Sequence, residues 1–318
     1  MAARPEIGYA LSSEEHDPRD LVRFARLAEE QGFTYALISD HFHPWTDRQG
    51  QSPFVWAVVG AIAQATERLR LGTGVTCPTI RIHPAVIAHA AATATALMPG
   101  RFFLGLGTGE NLNEHVLGDR WPEGAVRLKM LAEAIDVIRL LWEGGYQSHH
   151  GTYYTVEEAR LYTLPDEPPP IMVAAAKAEA AQLAGTCEGL IGTAPDAELL
   201  SEFDAAGGSG KPRFGQVTVC WAKDEAAARM SALEWWPNAA LPGDLGQELA
   251  LPRHYEQAAA LVTEDDVAEK VVCGPDPDAH RAAIEEFAQA GYDHVYVHQV
   301  GPDQEGFLDF YGREILAG

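Results

Sequence analysis

Short apolar runs alternate with longer amphipathic stretches along most of this chain of 318 residues. The run at 35–38 is apolar throughout, which is typical of a strand buried on both faces of a parallel sheet. At 21–30 the apolar residues recur at helical spacing, and Gly32 follows in the position of a C-terminal cap. These patterns predict strands at 6–11, 35–38, 69–75, 102–106, 171–175, 190–191, 215–221 and 294–298. They predict further helices at 54–66, 84–97 and 125–142, and a terminal helix from about residue 305.

This alternation predicts an α/β protein, and a single (β/α)8 TIM barrel over residues 1–318 fits it best. The chain is longer than a typical barrel of about 250 residues. The excess lies near 111–124, 144–170 and 235–265, in stretches rich in Gly, Pro, Asn or other polar residues. We interpret them as insertions on one barrel, because no linker divides the chain. A doubly wound sheet is the alternative, which the pattern alone separates poorly from a barrel.

The charge balance limits the partners of the protein. Lys and Arg number 23 and Asp and Glu number 46, which gives a formal net charge of −23. Such acidity argues against nucleic acid or an anionic membrane as a partner, because both require a basic surface. We therefore expect a small-molecule ligand.

The chain carries no signal for a membrane or for an oxidising compartment. It has no run of about 18 apolar residues, and its first residues lack the apolar core of a signal peptide. We therefore expect a cytoplasmic protein. The four cysteines, Cys77, Cys187, Cys220 and Cys273, lie far apart without a CxxC pair, so reduced and mostly buried thiols are expected.

The clearest candidate chemistry follows the second predicted strand. Asp40, His41, His43 and Trp45 come directly after the apolar run, at the strand end where α/β enzymes keep their active sites. A carboxylate beside a histidine can fix the orientation and tautomer of the imidazole, and histidine moves protons near neutral pH. The indole of Trp45 would supply a flat apolar wall for a ring-shaped ligand.

A second polar segment follows the fourth predicted strand. Gly105, Gly107 and Gly109 would let the backbone approach a ligand closely, but their spacing does not fit the GxGxxG dinucleotide loop. Glu110 comes next and would project into the same barrel mouth as His41. A carboxylic acid and an imidazole in different environments can form an acid/base pair.

Two other strand ends are candidate ligand contacts. Gly74 follows the third strand, where a glycine often marks a close backbone contact. After the fifth strand, a helix beginning near Lys177 would offer backbone N–H groups to a phosphate. A solvated helix residue is an equally good interpretation of Lys177.

Other chemistries are poorly supported. A catalytic metal would need more ligands, because Asp40, His41 and His43 alternate in direction and no HExxH helix is present. Nucleophilic catalysis lacks both a GxSxG elbow and a cysteine with an evident base.

Five segments together resemble the luciferase-like flavin and deazaflavin oxidoreductases. More narrowly, they are similar to the branch typified by F420-dependent glucose-6-phosphate dehydrogenase. The resemblance runs nearly end to end, through PDQEGF at 302–307. The segments are SDHFHPW at 39–45, QSPF at 51–54, TCPT at 76–79, HPAVIA at 83–88 and GTGENLNE at 107–114.

This resemblance implies a TIM barrel, usually a homodimer, that holds coenzyme F420 in its C-terminal mouth. Hydride would pass between an alcohol carbon of the substrate and C5 of the deazaflavin. His41 would take the hydroxyl proton, Asp40 would orient His41 and touch the cofactor, and Trp45 would cover the reacting centre. Glu110 would be the proton partner or stabiliser of the reduced ring. The other cofactor-binding residues implied are Gly74 and Val75, joined by a cis peptide bond, together with Thr108, Asn113, Ala176, Lys177 and Thr193.

Two departures from the family pattern affect the phosphate contacts. Residues 175–178 read AAKA in place of a glycine-rich phosphate turn. Asp196 and Gln257 stand where the glucose-6-phosphate enzymes carry lysines, in an ungapped alignment. With Trp45, we expect these two residues to bind the substrate. Because a carboxylate repels phosphate, we expect a neutral alcohol or an unphosphorylated sugar.

Several functional alternatives stay open at this stage. One is an FMN-dependent monooxygenase or reductase on the same barrel, and another is a dehydrogenase of glucose 6-phosphate or another sugar phosphate. A non-catalytic cofactor-binding protein and a metal-dependent hydrolase are further alternatives.

Overall fold

Eight parallel strands close into a barrel in the computed structural model, which describes residues 4–317. The strands are β1 Glu6–Leu11, β2 Tyr35–Ile38, β3 Arg70–Thr73, β4 Phe102–Leu106, β5 Gln147–His150, β6 Thr155–Ala159, β7 Ile171–Ala174, β8 Gly189–Gly192, β9 Arg213–Cys220, β10 Val272–Cys273 and β11 His294–Gln299. The ring runs through β1, β2, β3, β4, β7, β8, β9 and β11, and the pairing of β11 with β1 closes it. The predicted (β/α)8 barrel is confirmed.

Helices surround this barrel. They are α1 Pro18–Gln31, α2 Val55–Ala65, α3 Pro84–Leu97, α4 Asn111–Glu114, α5 Gly124–Trp142, α6 Ala178–Gly185, α7 Ala197–Phe203, α8 Glu225–Trp235, α9 Leu245–Glu248, α10 Pro252–Ala258, α11 Glu264–Ala268, α12 Pro277–Ala290 and α13 Gln304–Phe310. Shorter 3₁₀ turns lie at His115–Leu117, Pro237–Ala240 and Ala259–Leu261, and π-helical turns at Asp204–Gly208 and Tyr311–Leu316.

Helix α1 illustrates why these segments are helical. Asp17 accepts hydrogen bonds from the first turn, Pro18 opens the helix, and Gly32 ends it with φ of 101°. The apolar face between these caps buries Leu21 and Phe24 against the barrel.

The three stretches interpreted as insertions hold local structure of their own. Residues 111–124 contain α4 and a 3₁₀ turn, and 144–170 contain the antiparallel hairpin β5–β6. Residues 235–265 contain α9 and α10. Strand β10 was not predicted; its two residues extend the sheet beside the end of β9.

Two apolar clusters support the site. The larger one lies between the strands and the surrounding helices. The smaller one fills the barrel interior, and each side chain buried there contributes on the order of 1.5–3 kcal/mol. Because these large side chains close the interior, the ligand space lies above them, toward the C-terminal ends of the strands. The interior cluster consists of Tyr35, Leu37, Phe103, Met172, Ile191, Phe214 and Tyr296.

The four cysteines are free thiols. Burial raises the pKa of Cys220 to about 12 and that of Cys273 to about 11, so both are protonated near neutral pH. No helix within residues 4–317 is long and apolar enough to cross a membrane.

Candidate active site

A cavity of about 790 Å³ lies at the C-terminal ends of the barrel strands. Its wall has two different halves. The half formed by β3, β4, β7 and the residues after them, the glycine-rich wall, presents small residues at Gly74, Gly107, Ala174 and Ala176, with the longer side chains of Glu110 and Lys177 beside them. The half formed by β1, β2, β9, β11 and the residues after them is polar, with Ser12, Glu14, Ser39, His41, Gln216 and His298.

His41 is held by a carboxylate that the sequence analysis did not select. Its Nδ1 lies 3.1 Å from Oε1 of Glu14, and the two side chains are 10% and 3% exposed. The Glu14 Oε2 accepts hydrogen bonds from Ser39 Oγ at 2.6 Å and Ser12 Oγ at 3.0 Å. Burial raises the pKa of Glu14, but the charge of His41 and the bond from Ser39 outweigh it and hold the pKa below its ordinary value. Glu14 is therefore an anion in charge contact with the imidazole, without the geometry of a hydrogen bond at Nδ1.

The prediction that Asp40 orients His41 is wrong. Its Oδ2 accepts a hydrogen bond from Thr76 at 2.7 Å, and its Oδ1 accepts one from Arg81 at 2.9 Å. The Asp40 side chain is fully buried and does not line the cavity. Because successive residues of an extended segment point in opposite directions, Asp40 faces away from His41 and anchors the segment that carries it.

Arg81 extends this anchor to a second carboxylate. Its Nε lies 3.5 Å from Glu114 Oε1, and its backbone N–H donates to Glu114 Oε2 at 2.9 Å. Burial raises the pKa of Glu114, and the hydrogen bond and charge of Arg81 only partly offset that rise. Arg81 thus joins the segment after β2 to helix α4 behind the cavity.

Glu110 lines the cavity at the start of α4, as predicted from its position after the fourth strand. Asn113 was predicted to line the cofactor, but it lies behind the wall. Its Nδ2 donates to Glu110 Oε2 at 3.4 Å, and its Oδ1 accepts from the backbone N–H groups of Phe42 and His43 at 2.9 and 3.1 Å. One amide therefore connects Glu110 to the segment that carries His41.

The glycines after β4 serve strand packing as well as ligand access. A Cβ at Gly105 would lie 1.9 Å from the carbonyl oxygen of Thr73, and one at Gly107 would lie 2.6 Å from Val75. The peptide bond between Gly74 and Val75 is cis, as the resemblance implied. Gly74, Val75 and the neighbouring Thr108 all line the cavity.

The predicted phosphate contacts lie at another edge of the cavity. Ala176, Lys177 and Thr193 all line it. Lys177 precedes α6, whose first N–H groups have no capping side chain. The Lys177 Nζ lies 3.4 Å from Asp244 Oδ1, and both side chains are largely exposed.

The three predicted substrate residues do not lie together. Trp45 lines the cavity, and its ring meets those of His41 and Tyr255 edge-on, with centroids 5.0 and 5.3 Å away. Asp196 and Gln257 are exposed and outside the cavity, and Asp196 instead caps α7 by accepting from a backbone N–H. The prediction that these two residues bind the substrate is therefore wrong, because Asp196 caps α7 and Gln257 lies on an exposed part of α10.

Residues 1–294 match the family described as Luciferase-like monooxygenase. The chain belongs to this luciferase-like family. Two relatives are F420-dependent glucose-6-phosphate dehydrogenases from Microbacterium testaceum and Beutenbergia cavernae, 37% and 36% identical to the chain. The alignments cover 97% and 98% of this chain and 96% of each relative.

A solved structure with the same luciferase-like fold is that of an F420-dependent secondary alcohol dehydrogenase in complex with an F420-acetone adduct. It is 30% identical in sequence, covers 99% of both chains and has a TM-score of 0.91.

The luciferase-like barrel of this protein has a cover over part of its mouth. Trp236 and Gln247 belong to this cover, which we define as residues 235–255, and both line the cavity. Gln49 Nε2 donates to the carbonyl of Trp235 at 2.9 Å, and Arg127 Nη2 donates to Gln247 Oε1 at 3.1 Å. The cover is thus tied to the barrel on two sides, after β2 and along α5.

Sequence reasoning missed the ends of β1 and β11. Glu14 and Glu15 come directly after β1, and His298 lies near the end of β11, so the rule that selected His41 applies to them too. Among residues 4–317, no three His, Cys, Asp or Glu side chains are arranged to hold a metal ion.

Proposed function

We propose that this protein is an F420-dependent dehydrogenase that oxidises the hydroxyl carbon of an alcohol or an unphosphorylated sugar. The observation that carries the proposal is the His41–Glu14 pair, which lines the same cavity as Gly74, Val75 and Gly107. The similarity to F420-dependent dehydrogenases supports the cofactor and the reaction class.

The residues of the cavity fit a deazaflavin. Gly74, Val75 and Gly107 leave a surface without long side chains, which suits a flat ring. The start of α6 offers free N–H groups to the phosphate of the cofactor, and Lys177 adds a positive charge beside these groups. When bound, F420 would supply C5 as the hydride acceptor.

The protein's own residues would handle the proton. His41 Nε2 would accept the hydroxyl proton, and the Glu14 carboxylate would stabilise the resulting imidazolium. Trp45 would cover the reacting centre and exclude water. Glu110, at the glycine-rich wall, would hold or deliver a proton at the cofactor.

The charges around the cavity favour an unphosphorylated substrate. The basic residues that line it, Arg127, Lys129 and Lys177, belong to α5 and to the turn before α6. The segments that carry His41 and Glu14 contribute no lysine or arginine to the described cavity wall. A substrate phosphate beside Glu14 would therefore meet a like charge with no lysine or arginine from these segments to offset it. Glucose 6-phosphate is the second candidate, because the two relatives are named for it.

Side-by-side titrations of F420 and FMN, followed by tryptophan fluorescence, test the cofactor. Trp45 and Trp236 line the cavity and would report binding. Tight F420 binding with weak FMN binding supports the proposal, and a preference for FMN would assign the protein to flavin chemistry instead.

Bleaching of F420 with propan-2-ol, glucose and glucose 6-phosphate tests the substrate class. Bleaching by an alcohol or free sugar supports the proposal. Saturable turnover of glucose 6-phosphate at low concentration, with free sugars and alcohols inert, would contradict it.

A further inference from the structure

The side chain of Gln49 lies between the segment after β2 and the cover. It is 3% exposed and does not itself line the cavity. Its Oε1 accepts hydrogen bonds from the backbone N–H groups of Trp45 at 2.8 Å and Thr46 at 3.4 Å, and its Nε2 donates to the carbonyl oxygen of Trp235 at 2.9 Å. Two donors on one side and an acceptor on the other fix which end of the amide carries the oxygen. One buried amide therefore joins two segments through both of its ends.

The backbone groups that Gln49 holds carry two indoles of the cavity wall. On the barrel side, the bonded N–H is that of Trp45. On the cover side, the bonded carbonyl of Trp235 belongs to the peptide unit that leads into Trp236. The N–H of this same unit donates to Ala232 at 2.8 Å and so closes the end of α8. Trp45 and Trp236 both line the cavity, so Gln49 fixes the backbone from which each of them projects.

Trp45 is the residue whose position matters to the proposed chemistry. Its ring meets the imidazole of His41 at a centroid distance of 5.0 Å and the ring of Tyr255, at the end of the cover, at 5.3 Å. The hydroxyl of Tyr255 donates to the carbonyls of Gly246 at 2.9 Å and Leu249 at 3.2 Å. Trp45 thus contacts both the proposed base and a tyrosine that is anchored within the cover.

The other polar contacts between the segment after β2 and the borders of the cover are exposed. Arg48 pairs with Glu234 at 2.6 Å, and the two side chains are 50% and 56% exposed. The backbone N–H of Asp47 donates to Glu256 at 3.0 Å, also at the surface. Exposed ion pairs contribute little because water screens them, whereas a buried group that loses its hydrogen bond is costly. The amide of Gln49 is therefore expected to supply most of the polar coupling between the two segments.

From these contacts, we infer that Gln49 is a positioning residue that couples the cover to Trp45. Its effect on the reaction rests on the proposed dehydrogenase function, in which Trp45 lies against His41 and excludes water from the proton transfer. Loss of the amide releases the N–H of Trp45 and the peptide unit before Trp236 at the same time. Both indoles are then expected to shift, although Gln49 contacts neither the substrate nor the cofactor.

Two variants of similar shape test the coupling. Gln49→Met removes both ends of the amide, whereas Gln49→Glu keeps an oxygen that accepts from the N–H groups of Trp45 and Thr46. The protein is labelled with 5-fluorotryptophan, and ¹⁹F NMR reports the surroundings of each indole. The signals of Trp45 and Trp236 are identified with Trp45→Phe and Trp236→Phe.

We expect Gln49→Met to move both signals by more than their linewidth. Gln49→Glu is expected to bring the signal of Trp45 back toward its original position, which a side chain that only filled space would not do. Signals that Gln49→Met leaves in place, or a Trp45 signal that Gln49→Glu does not restore, would overturn the inference. Gln49→Asn covers the case in which Gln49→Met does not fold. Its amide is one methylene shorter and cannot reach both segments, so at least one of the two signals is expected to move.

Gln289→Met is the matched control. Gln289 lies on α12, away from the cavity lining, and donates to Glu285 at 3.3 Å on an exposed surface. The same loss of a glutamine amide is expected to leave the signals of Trp45 and Trp236 in place. Shifts of equal size in Gln289→Met and Gln49→Met would contradict a specific role of Gln49.

Turnover of the F420-loaded protein separates this inference from the proposed function. With propan-2-ol or glucose, Gln49→Met is expected to lower kcat about tenfold, because a displaced Trp45 would leave the reacting groups less well placed. The affinity for F420 is expected to stay nearly normal, and Gln49→Glu should recover part of the lost turnover. Shifted ¹⁹F signals without any bleaching of F420 would defeat the proposed function alone. Bleaching of F420 with signals and kcat that Gln49→Met leaves unchanged would defeat the inference alone.

Discussion

Glu14 and His41 come from neighbouring barrel strands and meet at 3.1 Å, with the carboxylate on Nδ1 of the imidazole. The contact exists because β1 and β2 pair in parallel, so the residues that follow them leave the barrel side by side. It places the Glu14 carboxylate beside one ring nitrogen of a histidine that lines the cavity.

His41→Ala is expected to lower turnover by about a hundredfold or more, because general base catalysis typically contributes 10²–10⁴-fold. The affinity for F420 is expected to stay nearly normal, since the glycine-rich wall and α6 are untouched. Stopped-flow bleaching and fluorescence titration measure the two quantities. Turnover that survives the substitution would show that the base lies elsewhere.

Glu14→Gln is expected to lower stability in a pH-dependent way. The pKa of Glu14 is lowered in the folded protein, so its carboxylate stabilises the fold above the ordinary pKa of glutamate. That contribution is lost as the pH falls through the lowered value. Hydrogen bonds to a charged group contribute about 1.5–3 kcal/mol. The free energy of unfolding of the unaltered protein and of the variant, measured in urea, should therefore differ less near pH 4 than near pH 7. An equal difference at both pH values would contradict the lowered pKa of Glu14.

Arg81→Met is expected to destabilise the protein by about 3–5 kcal/mol, because it leaves Asp40 and Glu114 buried without their cation. Arg26→Met is the control, since its ion pair with Glu30 is exposed and contributes less than about 1 kcal/mol. Urea unfolding measures the free energy of unfolding of both variants. Equal losses of this free energy in the two variants would show that Arg81 does not anchor the segment after β2.

Lys177→Ala is expected to weaken F420 binding about tenfold, because it removes a charge beside the proposed phosphate contact. The affinity of the variant for F420 is also expected to depend less on the salt concentration. Stability should hardly change, since the pair with Asp244 is exposed. Lys223→Ala, also an exposed lysine but away from the cavity, is the control. Fluorescence titrations at two salt concentrations measure the effect, and equal affinities for the two variants would exclude the contact.

The barrel was predictable because most residues of its strands are buried, so that short, largely apolar runs recur between the helices. The hairpin β5–β6 is half exposed and polar, and β10 has only two residues, so neither carries a periodic pattern. Helices α9 and α10 lie within a stretch whose composition predicted only an insertion.

Residues that line the site at the end of a single strand were predicted from the sequence. The contact between residues that follow two different strands was not predicted. His41, Trp45 and Glu110 line the cavity as their own segments predicted. Glu14 could have been selected by the rule that selected His41, because β1 and β2 are consecutive strands and therefore neighbours in the predicted barrel. The homodimer and the cytoplasmic location stay predictions.

Asn113 has a consequence for motion as well as for position. Because its amide bonds both Glu110 and the backbone at Phe42 and His43, the two loops that carry the acid and the base cannot fluctuate independently. Their thermal displacements are expected to be correlated, so the gap between Glu110 and His41 varies less than either loop does against the barrel.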